Sequence, residues 1–400
     1  MTPPGPRRDL PVRDRIFHGV IAVLARDGLG RLTHRRVAQA AGVSLAATTY
    51  HFSSKAEMIA DASARLMANY INGFDRLGDR CGRGERHFVS QDELLFRLVA
   101  NTASRHNIQS LAWCEIIMDA TRTDEGQERA RRWFDALYAS WRKLLAQFDA
   151  PVDGEALISG IDTVIGMTLM VHGLGLDEAA VARIWSGDPA SAHSTPAPGP
   201  SSNAAALTPK ARRTRQTIIE AAIDILMREG SGGIGFRTVA QRTGMAQSAP
   251  SYYFESIGDL LREAEITLFQ RSKARYRELS AERTAPLTSA DELVDLTMAI
   301  YTREATEYAR SSIAHYSIWL EAAREPRLRE SVGRAILDQS SSWQRRLAAI
   351  APRGTFEGYR LQALFIGGIV RTVACGSNIL EISRKRESFR TAICQSASLK

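Results

Sequence analysis

The chain is poor in cysteine and has no long uninterrupted apolar run. Its 400 residues include four cysteines that form no Cys-x-x-Cys pair: Cys81, Cys114, Cys375 and Cys394. We therefore expect reduced thiols rather than a disulfide framework or a metal site. The longest apolar stretches, 164–171 and 364–370, are shorter than the ~20 residues of a transmembrane helix, and no secretory signal is apparent. These absences predict a cytoplasmic protein with no membrane contact.

Signatures of catalysis are also missing. The sequence has no His-Glu-x-x-His motif, no phosphate-binding glycine loop, no cluster of metal ligands and no nucleophile elbow. We therefore expect no enzyme activity, no catalytic residues, no metal and no cofactor. The charge of the chain indicates a binding function instead. With 52 Lys and Arg residues and 44 Asp and Glu residues, the net charge is +8. A basic chain suits a polyanionic partner, and nucleic acid is the first candidate.

What the sequence does contain is an internal repeat at an offset of 202 residues. Between Arg13 and Ala62, 17 of 50 positions are identical in the two copies without a gap, whereas about three or four would match by chance. The register slips between residues 77 and 109 and then returns, as in Trp141/Trp343 and Gly166/Gly368. The duplication covers nearly the whole chain.

A linker separates the two copies. Residues 186–210 contain five prolines and many Ser, Ala and Gly residues without a hydrophobic period. As a flexible coil this segment spans about 25–30 Å. We predict four domains, a shorter one at 1–60 and at 211–262, each followed by a longer one, at 61–185 and at 263–400.

Apolar residues recur with a helical period in both copies, and no alternating strand pattern is present. The fold class is therefore all-α, with about eight or nine helices in each copy. Gly28 ends the first helix, and Thr33 and Ser44 are suitable N-caps on either side of a turn at Gly42. Two short helices across a glycine turn predict a helix-turn-helix. Ser90-x-x-Glu93 and Ser289-x-x-Glu292 predict the start of a later helix in each copy, and helices are expected to about residues 184 and 382.

The segment 33–57 resembles the DNA-binding region of the TetR family of transcriptional regulators. The resemblance rests on Arg36-Val37-Ala38, Ala41-Gly42-Val43-Ser44, Tyr50-His51-Phe52 and Ser54-Lys55. The second copy repeats it in Val239-Ala240, Gly244-Met245 and Tyr252-Tyr253-Phe254. It implies two complete TetR-like units in tandem, each with a three-helix DNA-binding head and a helical body for effector binding and dimerisation.

DNA recognition needs short polar side chains at base edges and cations at phosphates. In the first head the candidates are Thr33, Arg35, Arg36, Ser44, Thr48, Thr49, Tyr50, His51 and Lys55. In the second head they are Arg237, Gln247, Ser248, Ser251, Tyr252 and Tyr253. Further cations flank the first helix of each copy: Arg7, Arg8, Arg13 and Arg15, and Lys210, Arg212, Arg213 and Arg215. Lys55 is a phosphate ligand by the resemblance.

The second head departs from the family pattern. Ile257 stands at the position of Lys55, and Ala246 at that of the capping Ser44. With Pro250 near the start of the recognition helix, Ser248 is expected to take over as its cap. We therefore predict that the two heads prefer different half-sites and that the double-stranded DNA operator is asymmetric.

Symmetric dimers of the family bind palindromic operators. The tandem copies predict an intramolecular pseudo-dimer whose bodies meet in a four-helix bundle of segments 127–148, 155–174, 327–349 and 358–376. Four glycines would allow close helix contacts: Gly160, Gly166, Gly367 and Gly368. A rival assembly pairs two chains and presents four heads.

Each body also carries side chains suited to an apolar effector pocket. They are Trp113, Met118, Trp133 and Tyr138 in the first, and Tyr301, Tyr316 and Trp319 in the second. The same residues fit ordinary core packing. We expect a repressor released from DNA when a small-molecule effector binds the body. The alternative is an adaptor that binds a ligand or protein while one or both heads no longer bind DNA.

Overall fold

The computed structural model describes residues 9–88, 90–148, 153–186, 208–281, 287–351 and 358–396. Within these ranges every regular element is a helix and no strand occurs, so the all-α prediction is confirmed for the described part of the chain. Arg7, Arg8 and residues 187–207 of the expected linker lie outside the described residues.

The described residues between 9 and 186 form nine α-helices. They are α1 Val12–Asp27, α2 His34–Ala41, α3 Leu45–His51, α4 Lys55–Gly82, α5 Gln91–Ala103, α6 Asn107–Ala120, α7 Asp124–Leu145, α8 Gly154–Leu174 and α9 Glu178–Trp185. Three of these helices begin at predicted N-caps. The hydroxyls of Thr33, Ser44 and Ser90 each accept the backbone N–H of the third residue of the helix that follows, α2, α3 and α5 respectively. Hydroxyl side chains thus set where these helices start.

The described residues between 208 and 396 form ten α-helices, one more than the eight or nine expected. They are α10 Pro209–Glu229, α11 Phe236–Thr243, α12 Ala249–Tyr253, α13 Ile257–Ala281, α14 Ala290–Ala305, α15 Ala309–Arg324, α16 Arg329–Ile350, α17 Gly358–Ala374, α18 Ile379–Ser383 and α19 Lys385–Ser396. The expected end of helical structure near residue 382 is wrong. Because α19 buries Phe389 and Ile393 against α14 and α17, it extends the core.

Helices α8 and α17 cross at the centre of the protein in direct backbone contact. A Cβ atom on Gly166 would overlap the carbonyl of Ala363, and one on Gly367 would overlap the carbonyl of Asp162. The expected close approach is confirmed at these two glycines. It is wrong for Gly160, which faces Gln91 and Trp141 of its own half. A Cβ on Gly368 would contact the ring of Tyr301 and, at 3.4 Å, the carboxylate of Asp162 on α8.

Helix α8 is the most apolar long helix of the described residues. Its 21 residues have a mean hydropathy of 1.5 in the most apolar window, which is enough by length and composition to cross a membrane. By this measure α8 reaches the length and hydropathy of a membrane span, although its longest run of apolar residues is short. Most of that window, 78%, is buried inside the protein, where α8 packs against α17, α15 and α5.

Candidate nucleic-acid interface

The first head is the helix-turn-helix formed by α1, α2 and α3. Gly42 joins α2 to α3 with φ of +62°, a left-handed conformation that glycine adopts without a steric penalty. Helix α1 lies close against α2, because a Cβ on Gly19 would stand 2.9 Å from the carbonyl oxygen of Val37. Arg15 of α1 donates to the carbonyls of Ala41 and Gly42 and so stabilises the C-terminus of α2.

Helix α3 has an exposed face that can reach base edges. Tyr50 is 86% exposed, and its ring meets His51 edge-on with centroids 5.2 Å apart. Thr49 is exposed beside it, while His51 is half-buried. Thr33 and Ser44 are exposed too, although each hydroxyl caps a helix.

Thr48 does not belong to this face. Its side chain is 0% exposed, and its hydroxyl donates to the carbonyl of Leu45 at 2.8 Å. The predicted contact of Thr48 with bases is therefore wrong. The position packs into the head because helical periodicity turns it a full 100° away from Thr49.

Two arginines stand at the start of α2. Arg35 is exposed and has no ion-pair partner within the described residues, whereas the exposed Arg36 lies 3.2 Å from Asp27. Arg13 is held by Asp61 at 2.5 Å and stacks over Phe52. Arg35 is thus the cation of this group that is most available to a phosphate.

Lys55 lies between head and body. It lines a cavity of about 390 Å³ together with Asp119 and Gly230. Burial lowers the pKa of Lys55, and the nearby Asp119 partly opposes this shift. The position favours a contact with the body over the phosphate contact that the family resemblance implies.

Helices α10, α11 and α12, the expected second head, have the same plan with a shorter third helix. Gly244 makes the turn with φ of +67°, and α12 is five residues long where α3 has seven. Ser248 precedes α12 in a helical conformation and makes no side-chain cap, so the predicted capping role is wrong. Pro250 is buried at the position that corresponds to Thr48. The rigid ring therefore takes the place of a hydroxyl in the packing of α12.

The exposed surface of this head differs from that of the first. Tyr252 is 82% exposed, with Gln247, Ser248 and Ser251 exposed nearby and Tyr253 half-buried against it. Arg237 is exposed and has no ion-pair partner among the residues described. Arg215 pairs with Glu263 at 3.0 Å, as Arg13 does with Asp61, so this position serves head packing in both halves.

The two heads touch each other. A short 3₁₀ turn follows each first helix, Leu29–Arg31 after α1 and Ser231–Gly233 after α10. A Cβ on Gly30 would overlap the Cα of Gly232, and the reverse also holds. Any side chain at either position would force the heads apart.

Arg324 at the end of α15 connects this junction to the bodies. It donates to the carbonyls of Leu24 and Ala25 at the end of α1, both at 2.9 Å, and pairs with Glu115 of α6 at 2.8 Å. Burial alone would lower the pKa of Arg324, but Glu115 and Glu321 outweigh it and raise the pKa above its ordinary value. Arg122, the counterpart of Arg324 at the offset of 202, packs against Gly230 at the end of α10. Arg122 and Arg324 are equivalent in the repeat, so the sequence carried a signal for these two contacts, but the sequence analysis did not identify them.

The first body encloses a cavity of about 500 Å³ between α4, α5, α6, α7 and α8. Of the predicted effector residues, Trp113 and Trp133 line it, with ring centroids 5.2 Å apart. Met118 lines the cavity beside Lys55 instead. Tyr138 is not among the lining residues of the larger cavity, and its hydroxyl is buried without a partner in the described structure.

The predicted effector residues of the second body are packed in the core. Tyr301 is fully buried, its hydroxyl hydrogen bonded to Thr372 at 2.7 Å and its ring packed on Phe389. Tyr316 and Trp319 are also buried, with rings 5.3 Å apart. These three side chains pack against neighbouring side chains of the core, which favours a structural role over effector binding.

Comparison with known proteins agrees with the geometry of the first head. Residues 16–62, from α1 into α4, match the family described as bacterial regulatory proteins, tetR family. A comparison with curated proteins gives no match. Members of that family are DNA-binding transcriptional regulators rather than enzymes, typically repressors and usually homodimers. At residues 16–62 the chain is therefore similar to the N-terminal DNA-binding domain of this family of regulators.

Proposed function

We propose that the chain is a transcriptional repressor in which two TetR-like units form a pseudo-dimer within one polypeptide. The observation that carries this proposal is the contact of Gly30 with Gly232, which are equivalent positions at the offset of 202. In a two-fold arrangement, only a position on the axis meets its own equivalent. The axis of the pseudo-dimer passes between these glycines, in the middle of the two heads.

Reciprocal contacts away from the axis support the same arrangement. Arg324 holds the end of α1 across the two halves, and its equivalent Arg122 lies against the end of α10. In the bundle, Gln127 of α7 donates to the carbonyl of Val373 at 3.3 Å, while its equivalent Arg329 packs against Gly175. Pairs of this kind are expected of an isologous interface, in which residue i contacts j and j contacts i.

One buried cluster breaks the symmetry and favours pairing between unlike halves. Asp162 of α8 is 0% exposed and pairs with Arg371 of α17 at 2.6 Å and with Lys385 of α19. At the offset of 202, Asp162 corresponds to Leu364 and Arg371 to Leu169. Two first bodies would bury Asp162 without a cation, and two second bodies would bury Arg371 without a carboxylate. Each arrangement would leave an uncompensated buried charge, which costs several kcal/mol.

The two heads offer related but unequal surfaces to DNA. Tyr50 and Tyr252 are equivalent and almost equally exposed, and Arg35 and Arg237 are equivalent exposed cations. Helix α12 is shorter than α3, and the exposed Gln247 stands where the first head has the exposed Leu45. We infer that both heads bind duplex DNA and that the operator consists of two different half-sites.

Release by an effector requires a path from body to head. Glu115 of α6 accepts the backbone N–H of Leu29 at 3.1 Å and also pairs with Arg324, which holds the end of α1. A shift of α6 caused by a ligand in the first body would therefore move both α1 and α15. Couplings of this kind amount to about 1–3 kcal/mol, or about 5- to 150-fold in DNA affinity.

Selection of binding sites from random duplex DNA, followed by gel shift at several salt concentrations, tests the proposal. We expect an asymmetric site bound by one chain and a log–log slope of about −0.9 per neutralised phosphate. Arg35→Ala and Arg237→Ala should each reduce this slope by about one and weaken binding to all sequences. Tyr50→Ala and Tyr252→Ala should each change the preference in one half-site.

Arg132→Ala, which removes an exposed arginine of the first body, serves as the matched control. Binding without salt dependence, or no selected sequence, would contradict the regulator and favour the adaptor. Two chains per site would favour the rival assembly with four heads. Loss of effect for both Arg237→Ala and Tyr252→Ala would restrict DNA binding to the first head.

A further inference from the structure

The two bodies differ in the space that they enclose. The cavity of the first body has a volume of about 500 Å³, within the range of small-molecule sites. Equivalent positions in the second body, including Tyr276, Gln339 and Trp343, surround only about 40 Å³. Among the described residues, a ligand of drug size therefore has room in this region of the first body and not in the equivalent region of the second.

A single substitution between the repeats explains much of this difference. Gly73 lines the first cavity, and a Cβ built on it meets nothing within 4 Å. Its equivalent is Arg275, whose guanidinium donates to both carboxylate oxygens of Glu304 at 2.8 and 3.0 Å. Ser312 also donates to Glu304, at 2.6 Å. In the second body this buried ionic network occupies the region that stays open in the first.

The walls of the first cavity are aromatic. Trp113 packs on Trp133, and Phe74 meets Trp141 edge-on with centroids 5.4 Å apart. All three tryptophans keep a buried indole N–H with no hydrogen-bond acceptor in the described residues. Unpaired buried donors are costly, so a ligand that carries acceptor atoms would gain affinity here.

The charge around this cavity has one sign. Arg76, Arg80 and Arg105 are exposed and line it, and no acidic residue is among its lining residues. Neither Arg76 nor Arg105 forms an ion pair with any described residue, and Arg80 lies 3.8 Å from Glu85. At the offset of 202 the equivalent of Arg76 is Glu278. Helices α6 and α15 begin at Asn107 and Ala309, so Arg105, two residues before α6, corresponds to Glu307. The second body thus has the opposite charge at two positions where the first is basic.

We propose that the first body alone binds one amphipathic organic anion per chain, and that the second body binds none. The apolar part of the ligand lies among the tryptophans, and its anionic group pairs with Arg76 and Arg105 at the mouth. Arginine suits this role because its planar guanidinium binds carboxylate, sulfonate or phosphate oxygens in pairs. This inference rests on the proposed effector function and specifies the class and number of its ligands.

Two dyes of similar shape test the proposal on the full chain. Anilinonaphthalene sulfonate is an aromatic anion, and phenylnaphthylamine is its neutral counterpart. In fluorescence titrations and calorimetry we expect one saturable site per chain, with the sulfonate bound about tenfold or more tightly than the amine, since charge-assisted contacts contribute at this level. Gly73→Phe should abolish saturable binding of both dyes, because the new ring occupies the cavity.

Arg76→Gln combined with Arg105→Gln should lower affinity for the sulfonate about tenfold or more and leave the amine unchanged. The matched control is Arg132→Gln with Arg142→Gln, which removes two exposed arginines of the same body away from the cavity. Melting curves by circular dichroism check that each variant is folded. Since Arg76 and Arg105 are exposed, their replacement keeps the test valid even if Gly73→Phe fails to fold.

Two dye molecules per chain, saturable binding by folded Gly73→Phe, or equal losses in the test and control pairs would overturn the proposal. Non-saturable binding would indicate dye adsorbed to the surface only, and would also overturn it. The titrations need no DNA. If the chain binds one dye but no duplex DNA, the proposed regulator function is contradicted and the proposed ligand site stands. If it binds DNA but has no dye site, the ligand site is contradicted and the regulator function stands.

Discussion

Removal of the Asp162 charge should be among the most destabilising isosteric changes in this protein. Asp162→Asn keeps the shape of the side chain but leaves Arg371 and Lys385 buried without a carboxylate. Burial alone would raise the pKa of Asp162, but the two cations outweigh it and hold the pKa below its ordinary value, so the charged form is the native one. Breaking a buried ion pair from one side costs about 3–5 kcal/mol. We expect a loss of this size in the free energy of unfolding, measured by guanidinium denaturation near neutral pH.

The matched control is Asp291→Asn, which removes one partner of the exposed ion pair between Asp291 and Arg390, 2.8 Å apart. Exposed pairs contribute about 0–1 kcal/mol, so this variant should be close to the parent chain. The combined replacement Asp162→Leu, Arg371→Leu and Lys385→Met should recover most of the loss, because apolar residues of similar size leave no buried charge. Equal effects of Asp162→Asn and Asp291→Asn would refute the reasoning.

Three further predictions concern the heads and one buried acid. Burial raises the pKa of Glu265 to about 8 from 4.5, so between these values the folded protein keeps a proton that the unfolded chain has lost. The contribution of Glu265 to the free energy of unfolding is therefore greatest below pH 4.5 and should fall by up to about 1.4 kcal/mol per pH unit as the pH rises towards 8. Denaturation of Glu265→Gln should lack this trend. Gly30→Ala should weaken DNA binding by about tenfold or more in gel shifts, because its Cβ would overlap Gly232 and change the distance between the heads. Gly154→Ala is the control and should bind like the parent chain, because its Cβ meets nothing within 4 Å. Thr48→Val should leave the selected DNA sequence unchanged because the side chain is buried, while Thr49→Val should change it because Thr49 is exposed. A different selected sequence for Thr48→Val would show that this residue contacts DNA.

Local signals predicted the helix-turn-helix well. Thr33 and Ser44 cap α2 and α3, and Gly42 makes the turn between them, because caps and left-handed turns depend on residues next to one another in the chain. The repeat predicted that the same plan would recur after the linker. Its departures, such as Pro250, were visible in the sequence, but their effect on the length of α12 was not.

Features that depend on packing between distant helices could not be predicted. Thr48 is as polar as Thr49, and only the position of α3 on α1 and α2 decides which of the two is buried. The aromatic residues of both bodies gave the same sequence signal. A cavity remains around Trp113 but not around Tyr301, because the volume depends on remote positions such as Gly73 and its counterpart Arg275.

The asymmetric cluster of Asp162, Arg371 and Lys385 also has a consequence for a cell that contains several related regulators. Homodimers of similar sequence exchange subunits when their interfaces are alike, which mixes their operators. A foreign body that offered a leucine opposite Asp162 would bury a lone carboxylate, and the tethered partner is present at a high effective concentration. In the proposed pseudo-dimer, the tether and the charge cluster together would therefore prevent exchange of halves with related chains. Each half could then acquire new DNA and ligand preferences without changing the binding sites of another regulator.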